Sequence, residues 1–393
     1  MESRRVVFGG VTAGIAVGAG IAAHRLREGV GSPPATVGFT LTGDELQRAM
    51  RFLDRHPAID AHAHPGRTFV RGAKNLTWKL RLYAMRGAFE GRTIAAMRAG
   101  QMAAGCFCAV ADFPTLDARG GGLVPVREFT PGEAYAYYRT QIENLQALVT
   151  RGEVAPVLTP ADVDTARAAG KVGAILGVEG AEFLEGDLAR VARAFADGVR
   201  VLTLVHYFRG GPVGDVMTSE PVHGGLTRFG RDVVREMNRV GIIVDVSHCS
   251  QRTAYDALGV STKPLLITHT DIQEGGRDNA RFVPADLARA VADAGGVVGA
   301  WPAGIALRTL DGYVERILDL VDLLGEDHVC LGTDMDANYK PVFETYAKLP
   351  LLVGGLLRRG MPDETLAKVI GGNFLRVFAE TLSPGQPGCA RQG

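Results

Sequence analysis

The chain has 393 residues, 46% hydrophobic and 22% charged, with 43 Lys and Arg balancing 43 Asp and Glu. A neutral chain lacks the basic excess that phosphate neutralisation needs, so a nucleic-acid partner held by electrostatics is excluded. Ordinary apolar content and 51 glycines without a three-residue period exclude a disordered or collagen-like chain.

The first residues stand apart. Ser3-Arg4-Arg5, then Phe8, resembles a twin-arginine export signal, with Phe8 one residue further on than usual. Val6 to Ala23 carries no charge and is rich in Gly and Ala, barely long enough to span a hydrocarbon core. Residues 1–38 are therefore expected to be an export signal or membrane anchor plus a linker at 24–38, making the protein periplasmic or membrane-anchored. Residues 39–393 are expected to be one folded unit, since α/β barrels run this long as single domains.

Thr42-Gly43-Asp44-Glu45 predicts a capped helix towards Arg55, with Leu46, Met50 and Leu53 on one face. Apolar, often β-branched runs follow. They predict strands at Ala58–His62, Cys106–Phe113, Ala174–Glu179, Val201–His206, Ile242–His248, Leu265–His269, Gly296–Trp301 and Val329–Asp334. Amphipathic stretches at Pro131–Arg151, Phe229–Val240, Pro284–Ala294 and Leu310–Leu324 alternate with them. Strands apolar on both faces that alternate with helices predict a parallel sheet, and eight such units predict a closed (β/α)8 barrel. The surplus length at 114–173 predicts two or three extra helices between strands 2 and 3. Five cysteines in so long a chain are no disulfide framework; Cys106, Cys108, Cys249 and Cys330 lie in or beside apolar runs and read as small buried hydrophobes.

Chemistry gathers where the predicted strands end. His62 and His64 follow strand 1, Glu179 ends strand 3, and His206, His248 and His269 end strands 4, 5 and 6. Asp334 ends strand 8. In a parallel barrel these ends share one rim, where barrel enzymes keep their active sites. Imidazoles with carboxylates suit Zn²⁺ or a neighbouring first-row ion. His62 and His64, two apart on a strand, face one side. Seven donors exceed one tetrahedral shell, and two ions bridged by a carboxylate use them better.

These residues sit in stretches that resemble the membrane (renal) dipeptidase family of the amidohydrolase superfamily. They are HPAIDAHAHPG at 56–66, AILGVEGAE at 174–182, GVRVLTLVH at 198–206 and HGGLTRFGRDVVREMNRVGIIVDVSH at 223–248. PLLITH at 264–269, ARFVPADLARAVADAGGVVG at 280–299, LGTDMD at 331–336 and GGNFLRVF at 371–378 complete the series. The resemblance implies a dipeptidase with two Zn²⁺ ions per chain and a hydroxide bridging them as nucleophile. It implies Glu179 as the bridging carboxylate, His248 and His269 at the second ion, and His62 with His64 at the first. It implies His206 as the group polarising the substrate carbonyl, Arg281 as the grip on the substrate carboxylate and Asp334 as the proton carrier, leaving Asp336 a supporting role. The expected substrate is a short peptide, with a D-residue among the forms considered. The oligomeric state stays open, a homodimer included. The alternative is another binuclear amidohydrolase, a lactonase or N-acyl amino acid hydrolase.

Three positions depart from the family pattern. His64 stands where Asp is usual, which removes a negative charge from the first ion's shell. Phe282 stands where Asn is usual. The loop YFRGGPVGDV at 207–216 lacks a Trp-Ala-Asp-Ser run.

Overall fold

The computed structural model describes residues 33–273 and 279–383. The expected signal or anchor at 6–23, most of the expected linker, and Cys389 lie outside the described residues.

Eight strands build the core: β1 (Ala58–Ala63), β2 (Met102–Val110), β3 (Gly173–Glu179), β4 (Val199–Thr203), β5 (Ile243–Asp245), β6 (Leu266–Thr270), β7 (Val297–Ala300) and β8 (Val329–Leu331). Each pairs in parallel with the next in the chain, and β8 pairs with β1 through Asp60 and Leu331. The barrel is therefore closed and has the expected (β/α)8 order. Every residue of these strands is buried, because one face lines the interior and the other lies under helices. The interior is filled by Ile59, Ala61, Cys106, Ile175, Val201, Ile243, Leu266, Val297 and Cys330. That cluster continues into Phe374 and Phe378 of the last helix, Asn373–Leu382, which closes the N-terminal mouth.

The outer helices start where short hydroxyl side chains stop the extended chain. Thr227, Ser250 and Thr309 accept the N–H of Gly230, Thr253 and Gly312, capping Arg228–Val240, Gln251–Val260 and Leu310–Leu324. Each cap contributes about 1 kcal/mol. The expected capping box of Thr42 and Glu45 is present on Gly43–Arg55. Its buried face is different, however: Ala49, Phe52 and Leu53 pack inwards, while Met50 is 44% exposed.

The surplus between β2 and β3 holds two helices, Glu133–Thr150 and Ala161–Ala168, plus a hairpin, Leu116–Arg119 with Gly122–Pro125, that was not expected. Strand boundaries also shift. β2 starts four residues before Cys106, because Met102, Ala103, Ala104 and Gly105 carry no β-branched signal yet fit where β1 lies close. β4, β5 and β8 stop three residues before His206, His248 and Asp334. His248 and Asp334 take left-handed backbone, at φ 64° and 51°, which no strand accommodates. Cys106, Cys108, Cys249 and Cys330 are buried and free. Among the described residues no helix is long and apolar enough to cross a membrane.

Candidate metal centre

Glu179 is the last residue of β3, and its carboxylate is the point on which the rim converges. Oε1 lies 3.4 Å from His62 Nε2, 3.0 Å from His248 Nε2 and 3.6 Å from His269 Nε2. Oε2 lies 3.4 Å from Nε2 of both His64 and His206. Asp334 Oδ1 stands 3.4 Å from His64 Nε2. The Nε2 atoms of His62 and His64 are 3.2 Å apart, and those of His248 and His269 are 3.1 Å apart. A tetrahedral ion with bonds near 2.0–2.1 Å separates its ligands by about 3.3 Å, so these spacings fit shared coordination shells. Three groups have ligand atoms close enough for one ion: His62, Glu179 and His269; His62, His64 and Asp334; and Glu179, His206 and His248. All seven expected donors are brought together, although these groups cut across the division that the family resemblance implies.

The network behind the histidines fixes which nitrogen faces inwards. Asp245, at the end of β5, accepts from Thr203 Oγ1, Ser247 N and Oγ, and Thr268 N and Oγ1. Thr268 Oγ1 also lies 3.1 Å from Nδ1 of both His62 and His269. One hydroxyl has one proton. Since that proton goes to Asp245, Thr268 Oγ1 accepts from Nδ1 of both imidazoles, and His62 Nδ1 also lies 3.6 Å from Cys108 Sγ, which leaves Nε2 of each as the nitrogen facing Glu179. His64 Nδ1 likewise donates to the Cys108 carbonyl at 3.0 Å. His248 Nδ1 is buried with no hydrogen-bond partner among the described residues. Asp60 accepts from His62 N, Thr333 N and the Tyr346 hydroxyl, tying the His62 strand to the Asp334 loop.

Charge follows burial and neighbours. Burial alone would raise Glu179, but His206 and His62 pull it well below the usual carboxylate range. Burial, with Arg281 beside it, holds His248 well below the usual imidazole range; burial and His62 do the same for His269. Neutral imidazoles are the ligating form. His206 goes the other way: burial opposes its cation, but Asp112 and Glu179 outweigh it and raise the group. Burial, with Asp112 and Glu179 nearby, pushes Glu182 well above the usual carboxylate range.

Arg281 reaches the same centre. Its Nη2 lies 3.0 Å from His248 Nε2 and 3.1 Å from His269 Nε2, and its guanidinium sits 5.3 Å from the Trp301 ring centroid. A lone pair that accepts from Arg281 is not free for an ion, so an ion held by His248 and His269 would have to displace Nη2. Arg281 Nε and Trp301 Nε1 are buried donors without a partner among the described residues.

Sequence reasoning missed Asp112. It follows β2, one of the two strands to which no ligand was assigned, and its Oδ1 lies 2.6 Å from His206 Nδ1 while Oδ2 accepts the Tyr207 N–H at 2.9 Å. Asp245 and Thr268 were missed too. The signal available for them was a polar residue inside an otherwise apolar strand.

A closed parallel barrel with buried imidazoles and carboxylates on its C-terminal rim defines a metal-dependent hydrolase of the amidohydrolase type. The sequence profile of the membrane dipeptidase family, peptidase family M19, matches residues 46–385, and the chain belongs to that family of metallopeptidases. Dipeptidase verJ of Clonostachys rogersoniana is 26% identical over 357 residues, 88% of this chain and 89% of that one. Dipeptidase tcpJ of Claviceps purpurea (strain 20.1) is 34% identical over 220 residues, 54% of this chain and about half, 51%, of that relative's length. Among solved structures, the probable dipeptidase PvdM from Pseudomonas aeruginosa superimposes with a TM-score of 0.70 at 19% identity, covering 87% of this chain and 99% of that one. A metallo peptidase from Rhodobacter sphaeroides gives 0.68 at 22% identity, over 83% of this chain and 99% of that one. These likenesses show the shared fold.

Proposed function

We propose that the protein is a dipeptidase working with two zinc ions, held by His62, His64, Glu179, His248 and His269. One observation carries this reading: a single carboxylate, Glu179, stands within 3.0–3.6 Å of the Nε2 atoms of five histidines. The donor set fits, being nitrogen and oxygen only, with the inward lone pairs fixed by the groups behind them. When bound, the ions would polarise the scissile carbonyl and acidify a water.

The chain's own residues do the rest. Asp112 holds His206 protonated at Nδ1 and aims Nε2 into the site, where it donates to the carbonyl oxygen as negative charge develops. Asp334 accepts the proton of the attacking water on its carboxylate and returns it to the leaving amine. The planar guanidinium of Arg281 grips the C-terminal carboxylate of the substrate. The partnerless donors Arg281 Nε and Trp301 Nε1 support that assignment, because a carboxylate would satisfy both.

The test is a panel of dipeptides of both stereochemistries at the second position, with their N-acyl and lactone counterparts, on protein whose metal is counted by elemental analysis. The expected result is about two equivalents of zinc and cleavage confined to substrates with a free C-terminal carboxylate, a preference lost in Arg281→Ala. Turnover of lactones that is indifferent to Arg281→Ala would establish the other amidohydrolase chemistry instead.

A further inference from the structure

The β1-to-β2 connection carries a feature that hydrolysis does not use. The helix Trp78–Met85 exposes three large apolar side chains, Trp78 at 67%, Leu82 at 53% and Met85 at 78%. Their spacing of i, i+4 and i+7 places them within about 60° of one another around the helix. Leu80 turns the opposite way and is buried. Large hydrophobes scattered singly on a surface are ordinary, but three in one stripe on one helix are an interaction surface.

The stripe is flanked by positive charge. Arg81 lies to one side of it by the helical period and Arg86 to the other; both are exposed, as is Lys74 just before the helix. From Arg71 to Phe89 the sequence contains five cationic residues, Arg71, Lys74, Lys79, Arg81 and Arg86, and no Asp or Glu. The neighbouring hairpin, held by Lys79 Nζ donating to the Ala118 carbonyl, adds the exposed Val124, while its Arg119 is paired with Asp117.

We propose that this helix seats the barrel on an anionic lipid surface, with Trp78, Leu82 and Met85 among the acyl chains and Lys74, Arg81 and Arg86 at the headgroups. An indole at the interface and cations flanking an apolar stripe are the chemistry that such a surface recognises. A second copy of this chain fits less well, because a two-fold contact would set the same cationic flank against itself. The chain's own uncharged stretch at 6–23 offers no anion to that flank either. Placement agrees. Thr36 bridges to Thr309, between β7 and its following helix, so the described chain starts on the C-terminal rim, the same side as the Trp78 helix.

The chain supplies its own probe. It has two tryptophans, and Trp301 is 5% exposed while residues 6–23 contain none. A change in emission on adding vesicles therefore reports Trp78 and not insertion of the N-terminal stretch. The experiment titrates the full-length protein with phosphatidylcholine vesicles and with phosphatidylcholine–phosphatidylglycerol vesicles, with and without brominated acyl chains.

The expected result is a blue shift and bromine quenching on the anionic vesicles, weakened by salt and absent in Trp78→Phe. The triple variant Lys74→Gln, Arg81→Gln, Arg86→Gln should bind about a hundredfold more weakly, at roughly fivefold per cation near the surface. Its dipeptide hydrolysis in solution should stay as in the wild type, which shows that it folds. No shift on anionic vesicles, or an equal shift on both kinds, overturns the proposal. A shift that follows protein concentration without lipid assigns the surface to a second copy and overturns it too. So does an emission already blue-shifted and insensitive to lipid, which would assign it to the chain's own N-terminal stretch.

Discussion

Thr268→Val tests the idea that one hydroxyl sets two ligands. The side chain keeps its shape, so no cavity opens, and Asp245 retains four of its five donors: Thr203 Oγ1, Ser247 N and Oγ, and Thr268 N. What is lost is the acceptor for Nδ1–H of His62 and His269. His62 can still turn Nδ1–H to Cys108 Sγ, 3.6 Å away, but His269 then has two choices. It can leave a buried N–H unpaired, at about 1–3 kcal/mol, or move the proton to Nε2 and become unable to ligate. The second choice would set an N–H against Arg281 Nη2, which donates to His269 Nε2 at 3.1 Å, so the first is preferred and thermal stability falls by about 1–3 kcal/mol. Metal affinity falls further, because outer-shell losses cost about 10–100-fold and here two ligands share the loss; about a hundredfold overall is expected. Competition with a chromophoric chelator reads this directly, with Thr268→Ser, which keeps the hydroxyl, as control. If Thr268→Val holds metal as tightly as Thr268→Ser, the shared hydroxyl does not set the tautomers and the reasoning fails.

Two further outcomes follow from the same geometry. His64→Ala should lose one ion, because its Nε2 is one of the few donors reaching both Glu179 and Asp334; His64→Asp should keep two and move the alkaline rise in rate to higher pH, since an added carboxylate makes the bound water less acidic. Full metal occupancy in His64→Ala would refute its role as a ligand. Asp112→Asn should lower kcat about a hundredfold or more with KM and metal content little changed, since the amide oxygen can keep the Tyr207 N–H while the charge that orients and protonates His206 is lost; steady-state kinetics beside elemental analysis would expose an unchanged kcat.

The barrel was legible because its strands are apolar on both faces and its helices carry a 3.6-residue pattern between hydroxyl caps. The site was legible because His and Glu at the ends of apolar runs are conspicuous. The strand ends themselves were less so. His206, His248 and Asp334 look like strand residues, yet each lies three residues beyond its ladder, and the left-handed turns at His248 and Asp334 leave no hydrophobic signature. Such strained non-glycine positions cost of order 1–3 kcal/mol and gather where side chains must be aimed. Met50 was misplaced because a hydrophobe in an amphipathic helix was assigned inwards by type, whereas Ala49, with almost no side chain, is the one that fits against the core. Asp112 escaped notice because its task exists only once β2 and β4 bring it beside His206, 94 residues away in the sequence.

The packed interior, sealed at its N-terminal mouth by Phe374 and Phe378, leaves the C-terminal rim as the approach to the site among the described residues. Dipeptide entering and amino acids departing have to take turns at the rim. If Arg281 grips the substrate carboxylate as proposed, the product that still carries that carboxylate leaves by releasing it. On that reading, a free amino acid, which carries the same carboxylate, competes with substrate for Arg281.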